Sequence, residues 1–141
     1  YLCGENKKET IHKENNVNLK IDVEKVYFSP RLSTERKRIS NLVKKDEDVL
    51  VMFSGCAPYP CVISKNTEAK QIVGIEMNPE GYKYGLENVR LNKIKNTRLI
   101  CGDVKEVIPN LNKYFIGLKT NTITKTSTLF DSIINLHKTS I

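Results

Sequence analysis

The order of apolar and polar residues changes character near residue 48 of this chain. Before that point, residues 19–23 alternate apolar and polar side chains with a period of two, which predicts a strand with one buried face. Residues 26–28 predict a second extended piece that stops before Pro30. Residues 13–16 contain two Asn, which favours a hairpin turn. Residues 1–30 are therefore predicted to form a short β-rich segment.

A helix is predicted to follow over about residues 34–45. Ser33 or Thr34 can serve as its N-cap, because a short hydroxyl side chain accepts hydrogen bonds from the first backbone amides of a helix. The spacing of its apolar residues predicts one buried face, formed by Ile39, Leu42 and Val43.

After residue 48, buried strands alternate with helices. The apolar runs 49–53, 71–76 and 98–101 predict three parallel strands that are covered on both faces of a sheet. Each run is followed by a turn and then by a helical pattern. These helices are expected over residues 59–65, from residue 79 onward and over residues 104–112.

The second of these helices carries the clearest start signal. Asn78, Pro79 and Glu80 stand in the favoured order of N-cap, Pro in the first helical position and acid in the first turn. Its predicted apolar face consists of Tyr82, Leu86, Val89 and Lys93.

The end of the chain departs from this alternation. Residues 117–128 are rich in Thr and predict a surface loop or insertion, and Leu129 to Leu136 predicts a fourth strand. Alternating strands and helices favour a parallel α/β sheet, of which four strands form only half. We therefore expect an α/β domain over residues 31–141 that is truncated at its C-terminal end. The missing initiator Met favours a fragment of a longer protein.

The length and the net charge of the chain limit the classes of protein to which it can belong. A chain of 141 residues suits one domain, and 23 Lys+Arg against 16 Asp+Glu give a net charge of +7. This balance indicates an anionic partner, with nucleic acid as the first candidate, although a biased genome can also produce a Lys-rich chain. No apolar run reaches the roughly 18 residues of a membrane span. No secretory signal is recognisable, so neither a membrane protein nor a secreted one is expected.

The cysteines give no sign of a metal site. Cys3, Cys56, Cys61 and Cys101 show no C-x-x-C spacing, and the two His stand alone. A structural zinc site needs close pairs of such ligands, so none is expected. Reduced thiols in a cytoplasmic protein are the favoured interpretation.

Three predicted strand ends carry chemistry that suits a nucleoside. Gly55 would let a cofactor approach the backbone, and the helix after it would offer backbone amides. Glu76 could accept from both hydroxyls of a ribose, and Asp103 from an amine or amide. The turn 53–58 holds a single Gly, so a pyrophosphate cradle is not expected and S-adenosylmethionine fits better. An acid at a strand end can equally cap a helix or face solvent.

Five segments together resemble one family. They are Val26-Tyr27-Phe28-Ser29-Pro30-Arg31-Leu32-Ser33-Thr34-Glu35-Arg36, His12-Lys13-Glu14-Asn15, residues 52–60, residues 74–79 and residues 87–93. The chain resembles the archaeal and eukaryotic type of tRNA (guanine-37 N1)-methyltransferase, the Met-10-like group, over nearly all of residues 1–113. The resemblance implies an incomplete Rossmann-like class I methyltransferase sheet, S-adenosylmethionine as methyl donor and the tRNA base beside the anticodon as acceptor. A complete chain is expected to be a monomer.

The resemblance implies roles for particular residues. Glu35 would be the general base for guanine N1, Arg36 would hold the base or its developing charge, and Asn135 would touch the cofactor or the base. Arg31 would lie on the tRNA side. The cofactor pocket would be lined, besides Gly55, by Tyr27, Phe53, Glu76, Asp103 and Val104.

Other interpretations of these residues remain open. Glu35 and Arg36 could only begin a helix, and Tyr27 and Phe53 could be core aromatics. His137 stands where the family carries Pro, and the family's later strands are missing. Two further functions are considered: transfer of the aminocarboxypropyl group of the same cofactor in wybutosine synthesis, and RNA binding by a fragment without catalysis.

Overall fold

The computed structural model describes residues 8–113, 122–127 and 132–137, and side-chain burial through residue 110. Eleven regular elements lie in these ranges, together with 3₁₀ turns at Pro30–Leu32 and Ile108–Lys113. In chain order they are β1 (Glu9–Glu14), β2 (Val17–Asp22), α1 (Ser33–Ser40), β3 (Asp48–Met52), α2 (Pro58–Asn66), β4 (Gln71–Glu76), α3 (Pro79–Leu91), β5 (Thr97–Cys101), α4 (Val104–Val107), β6 (Thr122–Ser127) and β7 (Ser132–His137). No helix in these ranges is long and apolar enough to cross a membrane.

Strands β1 and β2 form an antiparallel hairpin, which confirms the predicted turn. Asn15 and Asn16 adopt positive φ angles of 44° and 67°, as a two-residue turn between right-twisted strands requires. Residues 26–28 do not form a strand, so that prediction was wrong. Asp22 accepts backbone hydrogen bonds from Lys25 and Val26, and this turn diverts the chain before a third strand can pair.

Strands β3, β4 and β5 are parallel neighbours, which confirms the three strands predicted from the apolar runs. The full sheet has the order β5-β4-β3-β6-β7. All five residues of β3 are buried, because helices cover both faces at its centre. The molecule therefore has the predicted α/β architecture, with the carboxyl ends of β3, β4 and β5 along one edge.

The last two strands correct the prediction for the end of the chain. Residues 122–127 lie in strand β6 and not in a loop, since alternating β-branched residues favour extended backbone. Strand β7 is antiparallel to β6. Only four residues separate β6 from β7, whereas a parallel crossover needs a dozen or more. The predicted residues 129–131 of this strand lie outside the described residues.

Helix α1 is shorter than predicted and lacks the expected cap. Leu32 occupies its N-cap position, because the preceding 3₁₀ turn leads directly into the helix. The helix ends at Ser40, whose hydroxyl donates to the carbonyl of Lys37. Ile39 is buried as predicted, but Leu42 lies beyond the helix and is 54% exposed.

Helix α3 begins as predicted, with Asn78 accepting from the Glu80 amide at 3.1 Å, but it buries a different face. Leu86 of the predicted face is 45% exposed. The buried residues are instead Gly81, Tyr84, Gly85 and Asn88. A Cβ on Gly85 would lie 2.9 Å from Leu99, so the helix packs more closely on the sheet than an apolar side chain would allow. Two glycines, one amide and the ring of Tyr84 therefore form the contact face.

Two side-chain amides, one in α3 and one directly after it, hold the hairpin against the sheet. The Asn88 side chain accepts from the Lys20 amide at 2.6 Å and donates to the carbonyls of Lys20 and Cys56. Asn92 repeats the pairing with the amide and carbonyl of Asn18. These two side chains make the hydrogen bonds to the β2 backbone that a neighbouring strand would otherwise make. Apolar residues of β2 also pack against α2. The division of the chain into two segments at residue 30 stays a prediction.

We expect Asn88→Ala to lower the free energy of unfolding by about 3 kcal/mol, since it leaves buried backbone groups of Lys20 and Cys56 without partners. Urea unfolding followed by circular dichroism measures this change. Asn110→Ala is the matched control, because its amide contacts one exposed carbonyl and its loss should cost under about 0.5 kcal/mol. Equal losses in the two variants would contradict the role assigned to Asn88.

Candidate functional site

A cleft of about 180 Å³ opens at the carboxyl ends of β3 and β4. It brings together four of the predicted cofactor residues. The lining residues are Val26, Tyr27, Phe53, Gly55, Glu76, Asn78 and Gly81. A larger hollow of about 350 Å³ borders Tyr27 on the hairpin side and contains no other predicted site residue. Most of the predicted cofactor residues therefore lie in the smaller cleft.

Glu76 joins the two loops that form the floor of this cleft. Its Oε1 accepts from the Gly55 amide at 2.7 Å, and its Oε2 accepts from the Asn78 amide at 2.9 Å. A carboxylate offers about four acceptor positions, so each oxygen can take a further donor. The side chain is therefore oriented by the backbone on both sides and can still bind hydroxyl groups.

The loop after β3 curls sharply beneath the cleft. Phe53, Gly55 and Ala57 have φ angles of 57°, 57° and 69°, all in the left-handed region that is costly for residues other than Gly. A Cβ placed on Gly81 would lie 3.2 Å from Glu76 Cγ and 3.4 Å from the Gly55 backbone. Helix α3 therefore starts directly against this loop, where a larger side chain would crowd Glu76.

The two aromatic residues belong to the surface of the cleft. Tyr27 is 65% exposed and Phe53 is 45% exposed. Neither packs in the core, so the alternative interpretation of these residues as core aromatics was wrong. Their rings supply apolar walls to a cleft whose floor is polar.

The start of α2 offers fewer donors than expected. Pro58 and Pro60 occupy its first turn and have no backbone N–H, so two of the amides that could bind an anion are missing. The amides expected at this helix are therefore reduced in number, and their contact with a cofactor stays a prediction. This chemistry disfavours a bound diphosphate and agrees with the single Gly in the loop.

Asp103 and Val104 lie beside the cleft without lining it. The Gly102 amide donates to the Glu76 carbonyl at 3.0 Å, which places Asp103 at the same sheet edge. The Asp103 side chain caps α4 by accepting from the Lys105 amide at 2.8 Å. Val104 packs against the core cluster around Leu50. Their contact with a cofactor stays a prediction.

Glu35 and Arg36 are neighbours in α1 but face different surroundings. Glu35 accepts from the guanidinium of Arg38, which lowers the pKa of its carboxyl below the ordinary value. Arg36 is only 1% exposed, and its guanidinium pairs with Glu14 at 2.6 Å. Arg31 is exposed in the 3₁₀ turn that precedes α1. The structure therefore presents Glu35 and Arg31 at the surface and encloses Arg36.

Asn135 lies apart from the other predicted residues. It pairs with Thr124 of β6, and Thr124 pairs with Val49 at the start of β3. The backbone of Asn135 is therefore level with the amino end of β3, whereas the cleft is at the carboxyl end. Its predicted role in catalysis stays a prediction.

Sequence reasoning missed three lining residues, Val26, Asn78 and Gly81. The sequence analysis assigned Asn78 only as a helix cap. Gly81 could have been noticed because a Gly is unusual in the first turn of a helix.

Within the described residues no cluster of His, Cys, Asp or Glu could hold a metal ion. Burial raises the pKa of the Cys56 thiol to about 12, so this Cys is uncharged at neutral pH.

The chain is similar to proteins that modify tRNA. It is 43% identical over 121 residues to tRNA (guanine(37)-N(1))-methyltransferase Trm5b of Pyrococcus abyssi, covering 81% of this chain and 36% of that protein. It is 53% identical over 102 residues to the tRNA (guanine(37)-N(1))/4-demethylwyosine(37)-methyltransferase Taw22 of Nanoarchaeum equitans, covering 72% and 34%. The chain thus spans about a third of the length of these relatives.

Comparisons with a further relative and with a solved structure lead to the same group of tRNA-modifying proteins. An aminocarboxypropyltransferase of Methanocaldococcus jannaschii that acts on 4-demethylwyosine(37) of tRNA(Phe) is 37% identical over 99 residues, covering 70% of this chain and 40% of that protein. The structure of M. jannaschii Trm5 in complex with adenosine superposes with a TM-score of 0.71 at 33% identity, covering 88% of this chain and 44% of that one. The methyltransferase-like fold is confirmed.

Residues 10–140 match the family described as the TRM5/TYW2 methyltransferase domain, which is nearly the whole chain. The resemblance read from the sequence motifs is confirmed by this match. The chain belongs to the TRM5/TYW2 methyltransferase domain family.

Proposed function

We propose that this chain carries the cofactor site of a tRNA (guanine-37 N1)-methyltransferase that uses S-adenosylmethionine. The observation that carries the proposal is the geometry of Glu76, whose two oxygens are oriented by Gly55 and Asn78 at the open end of the sheet. Ligands of doubly wound sheets bind at such carboxyl strand ends. The names of similar proteins point to position 37 of tRNA as the place of reaction.

The residues of the cleft fit such a cofactor. Glu76 would accept from the two ribose hydroxyls, and Tyr27 and Phe53 would enclose the apolar parts of the nucleoside. Asp103 would accept from the exocyclic amine of adenine in addition to capping α4. S-adenosylmethionine supplies an electrophilic methyl group on its sulfonium sulfur. The few amide donors at α2 agree with a ligand that carries no diphosphate.

Glu35 would act as the general base. Guanine N1 carries a proton that must leave as the methyl group arrives, and a carboxylate within hydrogen-bond distance can accept it. The ion pair with Arg38 lowers the pKa of Glu35, so its carboxylate is charged at neutral pH and ready to accept a proton. The same ion pair weakens it as a base.

Arg38→Ala is expected to raise the pKa of Glu35 towards its ordinary value, because the hydrogen bond and charge that lower it are removed. The rate needs ionised Glu35, so the acidic limb of the kcat–pH profile should move to higher pH. Single-turnover rates between pH 4 and pH 8 measure this shift. Lys37→Ala is the control, since it removes a neighbouring exposed charge that does not contact Glu35. An identical shift in both variants would exclude the direct contact as its cause.

The RNA partner would be the anticodon region of tRNA. The chain carries a net charge of +7, and Arg31, Lys37 and Arg38 are exposed around the turn that leads to Glu35. Phosphate binding by such residues weakens steeply with salt. We further propose that the protein acts as a monomer in the cytoplasm, where its substrate would be found.

The test is methyl transfer to a tRNA transcript with G37, followed by nucleoside mass spectrometry and identification of the methylated atom. A transcript with A37 is the matched control. N1-methylguanosine in the first transcript alone supports the proposal. Methylation at another atom, or equal transfer to both transcripts, contradicts it. Salt-dependent RNA binding without cofactor binding would indicate a non-catalytic fragment.

Aminocarboxypropyl transfer is the second candidate, because a relative of this type shares 37% identity over 99 residues. Both reactions use the same cofactor but transfer different groups from its sulfonium sulfur. The mass of the modified nucleoside therefore separates them in the same experiment.

A further inference from the structure

Arg36 is buried and has its charge compensated within the protein. Its Nε and Nη2 each lie 2.6 Å from a carboxylate oxygen of Glu14, and its guanidinium carbon lies 4.7 Å from the centre of the Phe28 ring. The side chains of Arg36 and Glu14 are 2% and 4% exposed. His12 also contacts the Glu14 carboxylate, at 3.1 Å. The cation of Arg36 is therefore directed at groups of the protein.

The same guanidinium fixes the segment that leads to Glu35. Arg36 Nη2 donates to the Ser29 carbonyl at 2.9 Å, just before the turn Pro30–Leu32. Asn15, which follows Glu14 in the hairpin, donates from its side chain to the Ser33 carbonyl at 2.9 Å. One end of the turn is thus held by Arg36 of α1, which pairs with Glu14 of the hairpin, and the other end by Asn15 of the hairpin.

Glu35 directly precedes Arg36 in α1, so the direction of its carboxylate depends on how this segment is held. We propose that Glu14 and Arg36 form a positioning pair that orients Glu35 towards the target base, and that Arg36 does not touch the base. This inference rests on the proposed function, because Glu35 is the group that would be positioned.

The chemistry of the pair favours positioning over stability alone. A buried ion pair is often no more stabilising than apolar residues of similar volume, because both charges lose their hydration. Apolar residues could fill the space but could not hold the Ser29 carbonyl. A misplacement of about 1 Å at a reacting group can lower a rate about 100-fold. The Glu14–Arg36 pair is therefore expected to raise kcat by positioning Glu35, which apolar packing alone would not do.

The first test compares Glu14→Ala, Arg36→Ala, the double Ala variant and the isosteric double variant Glu14→Leu/Arg36→Met. We expect kcat for G37 methylation to fall about 100-fold in each, with the double Ala variant no slower than the single ones. The KM for S-adenosylmethionine should stay unchanged. The Leu/Met variant should keep the wild-type melting temperature, which separates positioning from stability. Glu24→Ala, at an exposed ion pair of the same hairpin, should keep kcat within about threefold.

Two results would overturn the proposal. A much larger loss of kcat in Arg36→Ala than in Glu14→Ala would show that Arg36 acts directly on the substrate. Wild-type kcat in the Leu/Met variant would show that the pair positions nothing.

A second measurement does not depend on activity. Trypsin can cleave the bond between Arg31 and Leu32 only when the turn opens, so its rate reports local release. We expect cleavage at this bond to be about tenfold faster in the Leu/Met variant than in the wild type, at equal melting temperature. Equal cleavage rates would overturn the proposal. If the wild-type chain transfers no methyl group, the proposed function fails for this chain, while the cleavage rates still decide whether the pair holds the turn.

Discussion

Glu76→Ala should weaken S-adenosylmethionine binding about 100-fold or more, with the fold retained. The variant removes the proposed acceptor of two ribose hydroxyls, and hydrogen bonds to a charged group contribute about 1.5–3 kcal/mol each. It also releases the amides of Gly55 and Asn78, which the carboxylate holds at 2.7 Å and 2.9 Å. Isothermal titration calorimetry with the 141-residue chain measures the loss.

Two further variants sharpen this prediction. Glu76→Gln keeps an oxygen that can accept from Gly55 but loses the charge, so its affinity should fall between those of wild type and Glu76→Ala. Glu68→Ala removes an exposed acid just before β4, at the opposite end of that strand from the cleft, and should leave affinity unchanged. Unchanged affinity in Glu76→Ala would remove this residue from the cofactor site.

Glu35→Gln should lower the rate of methyl transfer about 10²–10⁴-fold, the usual contribution of a general base, while S-adenosylmethionine affinity stays near the wild-type value. Gln has almost the same shape as Glu but cannot accept the N1 proton. Single-turnover kinetics with saturating cofactor and tRNA isolates the chemical step. Calorimetry on the same variant tests the affinity.

Two control variants distinguish the effect of losing a negative charge from the effect of losing the proton acceptor at Glu35. Glu24→Gln changes the net charge equally at an exposed site and should keep the wild-type rate. Glu35→Asp retains the carboxylate on a shorter side chain and should recover part of the lost rate at high pH. An equal loss of rate and cofactor affinity in Glu35→Gln would refute its assignment as the base.

The elements that the sequence predicted correctly are those set by neighbouring residues. Strand β3 was recognised from the unbroken apolar run 49–53, of which residues 49–52 lie in the strand and are buried. Asn78 was recognised as a helix cap because capping joins residues two positions apart. The position of Glu76 at a strand end follows from the same local pattern, and the fold class follows from the alternation of these elements.

Predictions that depended on distant partners were less successful. The apolar face chosen for α3 was wrong, because Gly85 and Asn88 meet the sheet and β2 more closely than larger apolar residues could. Strand β6 was taken for a loop, since a polar Thr-rich stretch becomes a strand only when a neighbouring strand accepts its hydrogen bonds. The distant partners are β2, which Asn88 contacts, and β3, which pairs with β6 through Val49 and Thr124.

The sequence by itself determined the α/β class, the three parallel strands, the family motifs and the acid at the end of β4. Only the tertiary structure decided that Arg36 faces Glu14, 22 residues away, and that Asn88 pairs with Lys20, 68 residues away. Local patterns record which residues can form a helix or a strand, because those contacts join near neighbours. The direction of a buried charge is set by the single distant group that compensates it, and the chain must fold before that group is adjacent.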